Sequence, residues 1–315
     1  MEFQQKAFGA FHKDPTQVKQ SSSGGVFPQL ARHILSQGGA VFGAAYDPSF
    51  HVVPCCVTEE AELPALYGSK YVFCPMNAVW EDARQRLSAG TPVLFTASPC
   101  QAAAFRHFLN QDFPHLYCVD FVCHGAPEPK SLEQYLAELS QEYGAAVSSV
   151  NFRKKQTSWQ DYVVEVTFAN GQTYTSVPSD DPYMKTFLQY LNLRRACASC
   201  VYKGKNRLSD LTLGDFWGVS KLYAEIFHKE GTSLVFANTR KGLDLLMKAR
   251  DGLHIVEVSP EKAVKYNASA VSAAKLHKNY DAFQADPGTF RQKLSHCSEN
   301  RALGVKQALK KLFRR

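Results

Sequence analysis

The sequence predicts an α/β fold in which helices flank a mixed sheet and one β-hairpin is inserted. Hydrophobic residues make up 45% of the 315 residues and charged residues 21%, which is ordinary for a chain with a packed core. Short apolar runs alternate with stretches in which apolar residues recur at helical spacing. Asn170-Gly171 joins two alternating stretches and is typical of a two-residue hairpin turn. These patterns indicate strands and helices packed in layers, with a hairpin added.

The first 150 residues alternate predicted helices and strands. Pro28 suits the first turn of a helix, and Gly38-Gly39 suits its C-terminal end. Apolar runs of a few residues further on indicate buried strands. The elements expected in chain order are a helix at 26–37, a strand at 40–46, a helix at 78–87, buried strands at 93–95 and 116–122, and a helix at 131–143.

The pattern changes after residue 150. Residues 162–168 alternate between apolar and polar, and 174–177 are expected to form the returning strand after the Asn-Gly turn. A hairpin is therefore expected there. Strands are expected again at 233–237 and 254–258, each followed by a helical stretch. We divide the chain into an N-terminal segment at 1–95, a C-terminal segment at 96–285 and a basic helical tail at 286–315.

The tail carries much of the positive charge. The net charge is +7, and residues 301–315 contain six Lys or Arg and no acid. The rest of the chain is close to neutral, so no nucleic-acid partner is expected. Val305, Leu309, Leu312 and Phe313 fall near one helical face. Such a helix packs on the protein body, lies on an anionic membrane surface, or docks an acidic partner.

The chain is expected to be cytoplasmic. No apolar run reaches the 18 residues of a membrane span, and the N-terminus lacks the pattern of a secretory signal. Nine cysteines are therefore expected to be free of disulfides, because the cytosol is reducing. Five of them are expected to be small buried hydrophobic residues, namely Cys55, Cys56, Cys74, Cys118 and Cys297.

The other four cysteines form a candidate metal site. Cys100 and Cys123 each follow a predicted buried strand, while Cys197 and Cys200 form a CxxC. If the two strands are parallel neighbours, their carboxyl ends open at the same edge of the sheet, where ligand sites form. A CxxC lets two thiolates hold one metal centre. The spacing alone leaves an iron–sulfur cluster, a zinc ion and no metal open.

Two loops rich in hydrogen-bond donors are candidates for binding a phosphate. Residues 21–25, SSSGG, open a predicted helix whose N-terminus carries partial positive charge, although an ordinary N-cap has the same pattern. Residues 68–72, GSKYV, add a cation and an aromatic ring that suit a phosphate, an isoalloxazine or plain surface. Residues 213–218, LGDFWG, pack a core edge or wall a cofactor. His124, next to Cys123, is a candidate proton donor or a structural histidine.

Six motifs in this order resemble the coenzyme F420 hydrogenase/dehydrogenase beta-subunit family, over roughly residues 6–280. The matching segments are SSSGGVF (21–27), GSKYV (68–72), SPCQ (98–101), CHG (123–125), CASC (197–200) and SDLTLGDFWG (209–218). Members of this family bind a flavin and a [4Fe–4S] cluster. They include subunits that act on the deazaflavin coenzyme and a plant chlorophyll-cycle reductase.

The resemblance implies a cofactor set and a role for each motif. Its cluster ligands would be Cys100, Cys123, Cys197 and Cys200. The flavin, FAD in preference to FMN, would be bound by Ser22, Ser23, Gly24, Gly25, Ser69, Lys70 and Tyr71. His124 and Lys70 are the catalytic candidates.

The function that the resemblance implies is transfer of electrons between an organic substrate, a deazaflavin or another reducible molecule, and a one-electron carrier. Many bacterial relatives begin with a two-cluster ferredoxin domain, whereas no cysteine precedes Cys55 here. A separate carrier such as ferredoxin is therefore expected. The alternatives are an electron-transfer subunit without a substrate site of its own and a zinc-stabilised binding module.

Overall fold

An eight-stranded mixed sheet forms the centre of the protein in a computed structural model that describes residues 3–297. The strands are β1 (Lys6–His12), β2 (Ala40–Tyr46), β3 (Val52–Val57), β4 (Val93–Thr96), β5 (Leu116–Phe121), β6 (Val147–Lys155), β7 (Tyr162–Phe168), β8 (Thr173–Ser176), β9 (Leu211–Asp215), β10 (Ser233–Ala237) and β11 (Leu253–Val258). The order in the large sheet is β11-β1-β10-β9-β5-β4-β2-β3. The predicted α/β fold with a mixed sheet is thus confirmed.

The middle of the sheet is parallel and its edges are antiparallel. Strands β2, β4, β5 and β9 run in one direction, whereas β3, β10, β1 and β11 pair antiparallel with their neighbours. Every residue of β4 except Thr96 is buried, as expected for a strand covered on both faces. β4 and β5 are parallel neighbours, so the carboxyl ends that precede Cys100 and Cys123 open at one edge.

Helices cover both faces of the parallel strands. The α-helices are α1 (Pro15–Gln20), α2 (Val26–Leu35), α3 (Trp80–Ser88), α4 (Pro99–Leu109), α5 (Pro129–Tyr143), α6 (Pro182–Leu188), α7 (Val219–Leu222), α8 (Arg240–Lys248), α9 (Pro260–Ala263), α10 (Ala268–Val271) and α11 (Tyr280–Ala285). Short 3₁₀ turns occupy Glu60–Leu66, Met76–Val79, Arg195–Ser199, Ala224–Ile226 and Arg250–Gly252.

Side chains alternate along each parallel strand between the two helical layers. Val41 and Leu94 point to the core that α2 and α8 cover. Phe42, Val93 and Phe95, the alternate residues, point to the core that α3 and α4 cover. The two cores therefore hold the parallel strands between two helical layers.

The inserted hairpin is the larger part of a second sheet. β7 and β8 form the predicted hairpin, and β6 adds a third antiparallel strand, in the order β6-β7-β8. β6 was not predicted because its pairing with β7 shifts register between Asn151 and Lys154, which breaks the alternation of buried and exposed residues. This irregularity places both Phe152 and Arg153 in the interior.

Other predicted elements agree closely with the structure. The strands at 40–46 and 233–237 have the predicted bounds, and the helix at 78–87 starts as the 3₁₀ turn Met76–Val79 before α3. Strands β1, β3 and β9 and helix α4 were not predicted. No helix among residues 3–297 is long and apolar enough to cross a membrane. The predicted amphipathic helix at 301–315 lies outside the described residues.

Candidate functional site

A cavity of about 390 Å³ opens at the carboxyl edge of the parallel strands. This volume is within the range of small-molecule and cofactor sites. The walls come from the loop before α2, the loop after the 3₁₀ turn at 60–66, and the ends of β4, β5 and β9. The sequence-predicted site residues among its lining are Ser22, Ser23, Gly25, Ser69, Lys70, Tyr71, Cys123 and His124.

The Ser–Gly loop presents hydrogen-bond donors to this cavity. Gly25 takes a left-handed conformation at the N-cap of α2, with φ of 79°, which glycine adopts without strain. The buried Ser21 hydroxyl has no hydrogen-bond partner within residues 3–297. Ser69 donates a 3.0 Å hydrogen bond to the Ser22 hydroxyl, which leaves the hydrogen of Ser22 free to donate. Together with the N-terminus of α2, these donors suit an anionic group.

Gly24 does not line the cavity. A Cβ at this position would lie 2.5 Å from the Ala10 carbonyl oxygen and 2.7 Å from the Ser233 amide nitrogen. The Gly24 amide also donates a 2.9 Å hydrogen bond to the Ser233 hydroxyl. Glycine is therefore required here because the loop packs against the main chain of β1 and β10.

Two cations of β6 hold the Ser–Gly loop from behind, and sequence reasoning missed both. Arg153 is buried, lines the cavity and donates to the Ser22 carbonyl at 3.3 Å and to Asp215 Oδ2 at 2.9 Å. Asp215 belongs to the LGDFWG segment singled out from the sequence. The ion pair therefore connects three parts of the site: the Ser–Gly loop, β9 and the inserted sheet.

Lys155 is the second of these cations. Its Nζ donates to the carbonyls of Val18, Ser23 and Glu230, at 2.6 Å and 3.0 Å for the first two. Burial, with the nearby Arg153 guanidinium, lowers the pKa of Lys155 to about 8. The three carbonyls satisfy all three N–H groups of the ammonium. The only signal in the sequence was the RKK run at the end of an irregular strand.

Lys70 lines the cavity, but its ammonium is committed to the loop itself. It donates to the Ala65 carbonyl at 3.2 Å and to the Tyr67 carbonyl at 2.8 Å. Burial lowers the pKa of Lys70 to about 8. Two of its three N–H groups are thus used to shape the loop, and one remains for another acceptor.

Tyr71 is held in a strained backbone conformation by aromatic packing. Its φ is 42°, which is rare for a residue other than glycine. The ring meets Phe152 and Phe187 edge to face at 5.7 Å and 5.0 Å between centroids. Arg153 donates a 3.3 Å hydrogen bond to its hydroxyl. The tyrosine is therefore fixed from both sides at the wall of the cavity.

His124 is packed as a neutral ring. It stacks on Tyr190 with ring centroids 4.4 Å apart, and its Nδ1 lies 3.3 Å from the Ser269 hydroxyl. Burial lowers the pKa of His124 to about 4. At neutral pH the imidazole carries one N–H and no charge, so it can donate a hydrogen bond but is not a cationic acid.

The structure brings the CxxC to the loop that carries Cys123. The Arg194 amide donates to the Ala126 carbonyl at 2.9 Å, and a Cβ on Gly125 would lie 3.4 Å from the Cβ of Cys197. Cys100 lies in the first turn of α4, which begins directly after the end of β4, and is exposed. The topology therefore gathers the two strand ends and the CxxC at one edge.

The four thiols also influence one another electrostatically. Burial raises the pKa of Cys123 to about 12, and thiolates at Cys197 and Cys100 contribute in the same direction. Burial likewise raises the pKa of Cys197, and Cys100 and Cys200 contribute. The four side chains therefore share one neighbourhood. Within residues 3–297 no three His, Cys, Asp or Glu side chains are grouped closely enough to hold a single metal ion.

The remaining cysteines do not all match the expectation of full burial. Cys118 is buried in the core beneath α4, as predicted. The expectation was wrong for the other four, which are partly exposed: Cys55, Cys56, Cys74 and Cys297. Two of them lie on β3, the strand at the edge of the large sheet, where one side lacks a neighbouring strand.

The fold and the site define a class: an α/β protein with a ligand-sized cavity at the carboxyl edge of its parallel strands, beside a group of thiols. The family model for the N-terminal part of the coenzyme F420 hydrogenase/dehydrogenase beta subunit matches residues 7–81, and the model for the C-terminal part of the same subunit matches 90–263. The chain belongs to this family, which assigns it to the redox proteins that transfer electrons.

A search of curated proteins found no match. Among solved structures, the protein is similar to a chain of the xenon-derivatised F420-reducing [NiFe] hydrogenase complex from Methanosarcina barkeri. The identity is 19%, the alignment covers 84% of this chain and 89% of that chain, and the TM-score is 0.57. At this identity the similarity shows the fold.

Proposed function

We propose that the protein is a cytoplasmic flavin- and iron–sulfur-dependent oxidoreductase. It would pass electrons between an organic substrate, such as a deazaflavin, and a separate one-electron carrier such as ferredoxin. The observation that carries the proposal is that one cavity is lined both by the donor-rich loop before α2 and by Cys123 at the end of β5. A flavin site and a cluster site would then be adjacent.

The residues fit a flavin with a phosphate at the Ser–Gly loop. The unpartnered Ser21 hydroxyl, the free hydrogen of Ser22 and the N-terminus of α2 are the donors that a phosphate needs. The apolar wall at Phe187 and the fixed ring of Tyr71 suit an aromatic ring system. We propose FAD as the occupant.

The residues also fit a cysteine-bound cluster. Four thiols share one neighbourhood, and four cysteine thiolates are the ligand set of a [4Fe–4S] cluster. The neighbouring Lys203 ammonium, which donates to the Cys123 and Ser269 carbonyls, favours the thiolate form of Cys123. We propose that Cys100, Cys123, Cys197 and Cys200 hold the cluster.

A bound flavin would supply two-electron chemistry and a bound cluster one-electron chemistry, which together connect the two kinds of partner. The protein's own residues bind and orient. Arg153 and Lys155 fix the main chain of the Ser–Gly loop, and Lys70 fixes the facing loop. Neutral His124 offers one N–H at the cavity wall next to Cys123.

Anaerobic preparation tests the proposal directly. The full chain is reconstituted with FAD, iron and sulfide, and its flavin, iron and sulfide are quantified beside its visible spectrum. Serine variants of the four proposed ligands should each lose iron and the broad visible absorption. Cys297→Ser, which also removes a partly exposed thiol, should retain both. Full iron in all four ligand variants, or zinc in place of iron, would contradict the proposal.

A further inference from the structure

An apolar patch lies on the surface beside the CxxC, and lysines surround it. Its three members are exposed by 44 to 64% of their area, although they are large hydrophobic side chains: Val201, Tyr266 and Val271. We name them the Val201 patch. Scattered exposed hydrophobic residues are ordinary, but a group of them marks an interaction surface.

Hydrogen bonds join the two chain segments that carry these residues. The Gly204 amide donates to the Ala270 carbonyl at 2.8 Å, which joins the segment after Cys200 to α10. Lys203 donates to the Cys123 and Ser269 carbonyls, and so joins the segment after Cys200 and α10 to the loop after β5. Val201 directly follows Cys200, so the patch adjoins the thiols of the candidate cluster site.

The charge around the patch is positive. Lys203 and Lys205 lie in residues 200–208, which contain no acid, and Arg207 of the same segment is buried against Asp120. Residues 262–280 contain four lysines and no acid. Lys221 and Lys265 each place Nζ 5.7 Å from the centre of the Tyr266 ring. Lys205 is exposed and faces the carboxylate of Glu261 at the margin of the patch. A partner that covers this surface would need apolar contacts ringed by carboxylates.

We propose that the Val201 patch is the docking surface for an acidic one-electron carrier protein, an inference that rests on the proposed function. Single electrons cross between proteins over short distances, and this surface adjoins Cys200 of the proposed cluster site. The patch consists of loops and the four-residue helix α10, so it offers no long apolar helical stripe of the kind that lies on a membrane. Opposite charges would speed the encounter and screening would slow it.

The test measures binding of the reconstituted full chain to a fluorescently labelled acidic [2Fe–2S] ferredoxin by anisotropy. We expect the affinity to fall about tenfold or more as salt rises from about 0.01 M to about 1 M, because the Debye length falls from about 30 Å to about 3 Å. The double variant Lys205→Glu/Lys265→Glu and the single variant Val271→Asp should each weaken binding about tenfold. Lys248→Glu is the matched control, because this exposed lysine interacts with His33 near the far end of α2.

Two further measurements separate the possible failures. Failure of the reconstituted wild type to pass electrons from a reduced deazaflavin to a viologen dye would contradict the proposed function. Normal dye reduction with unchanged ferredoxin binding in the patch variants would overturn the docking surface. Binding of the wild type to anionic phosphatidylserine vesicles without binding to ferredoxin would also overturn it. Dye reduction should be unchanged in the patch variants, since none of the substituted residues lines the cavity.

Discussion

Lys155 reaches from β6 into the loop before α2 and donates to three main-chain carbonyls. Lys155→Met keeps most of the side chain's length and apolar stem but removes every donor. Each carbonyl that loses its partner costs about 1–3 kcal/mol when it stays dry. The loop borders a cavity that can admit water, so we take the lower end of this range. The free energy of unfolding should therefore fall by about 3 kcal/mol.

The neighbouring residue provides a matched control. Lys154 lies on the opposite, solvent-exposed side of β6 and pairs with Glu165 at 3.2 Å, with 49% of its side chain exposed. An exposed ion pair contributes at most about 1 kcal/mol. Urea unfolding of Lys154→Met and Lys155→Met, followed by circular dichroism, should therefore separate the two variants by roughly 2 kcal/mol or more.

The same pair of variants tests the link to the proposed flavin site. Lys155 binds the Ser23 carbonyl, and Ser23 lines the cavity, so release of the loop should weaken FAD retention in Lys155→Met. Lys154→Met should retain as much FAD as the wild type. If the two variants lose the same small amount of stability, the three carbonyl bonds do not hold the loop. If Lys155→Met unfolds more easily but keeps full FAD affinity, the loop does not bind the cofactor.

Two further predictions concern the loops on either side of the cavity. Gly24→Ala should lower the free energy of unfolding by more than about 2 kcal/mol, because its Cβ would meet the main chain of β1 and β10. Gly68, which has open space around it and a φ of 77°, is the control, and Gly68→Ala should cost only about 1–2 kcal/mol for the left-handed backbone. Equal losses would show that steric contact is not what requires Gly24. The second prediction concerns pH, because burial lowers the pKa of Lys70 from 10.5 to about 8. Between these two pH values the unfolded chain binds a proton that the folded chain has lost. The free energy of unfolding should therefore rise with pH over this window, by at most about 3 kcal/mol. Urea unfolding across this range should show the rise in the wild type relative to Lys70→Met. Parallel curves would contradict the lowered pKa.

The parts of the site that follow from regular elements were predictable from the sequence. Short apolar runs before Cys100 and Cys123 indicated two buried strands, and the structure places these strands side by side and parallel. The SSSGG pattern likewise predicted the N-terminus of α2, which the structure places at the edge of the cavity. Both inferences depended on one strand or one helix at a time, which is what a local pattern can determine.

The parts that depend on irregular pairing were not predictable. β6 lacks strict alternation because its register shifts, so neither the strand nor its two inward cations could be recognised. The role of Gly24 depends on a close approach to β10, a strand more than two hundred residues later in the chain. Lys155 likewise binds carbonyls that lie far from it in the sequence, at Val18 and Glu230. Such contacts are set by tertiary structure, and no local spacing reports them.

The inserted sheet is therefore part of the site. β6 supplies a guanidinium and an ammonium that together bind the carbonyls of Ser22 and Ser23. Because these cations pair with the carbonyls of the loop, its hydroxyl and amide donors remain for a ligand. An anion requires such donors. The charge of Arg153 is balanced by Asp215, and that of Lys155 is solvated by carbonyls, so neither cation needs a ligand to be stable. The loop can thus hold its shape before any ligand binds. A ligand then does not have to supply the free energy that ordering the loop would otherwise cost.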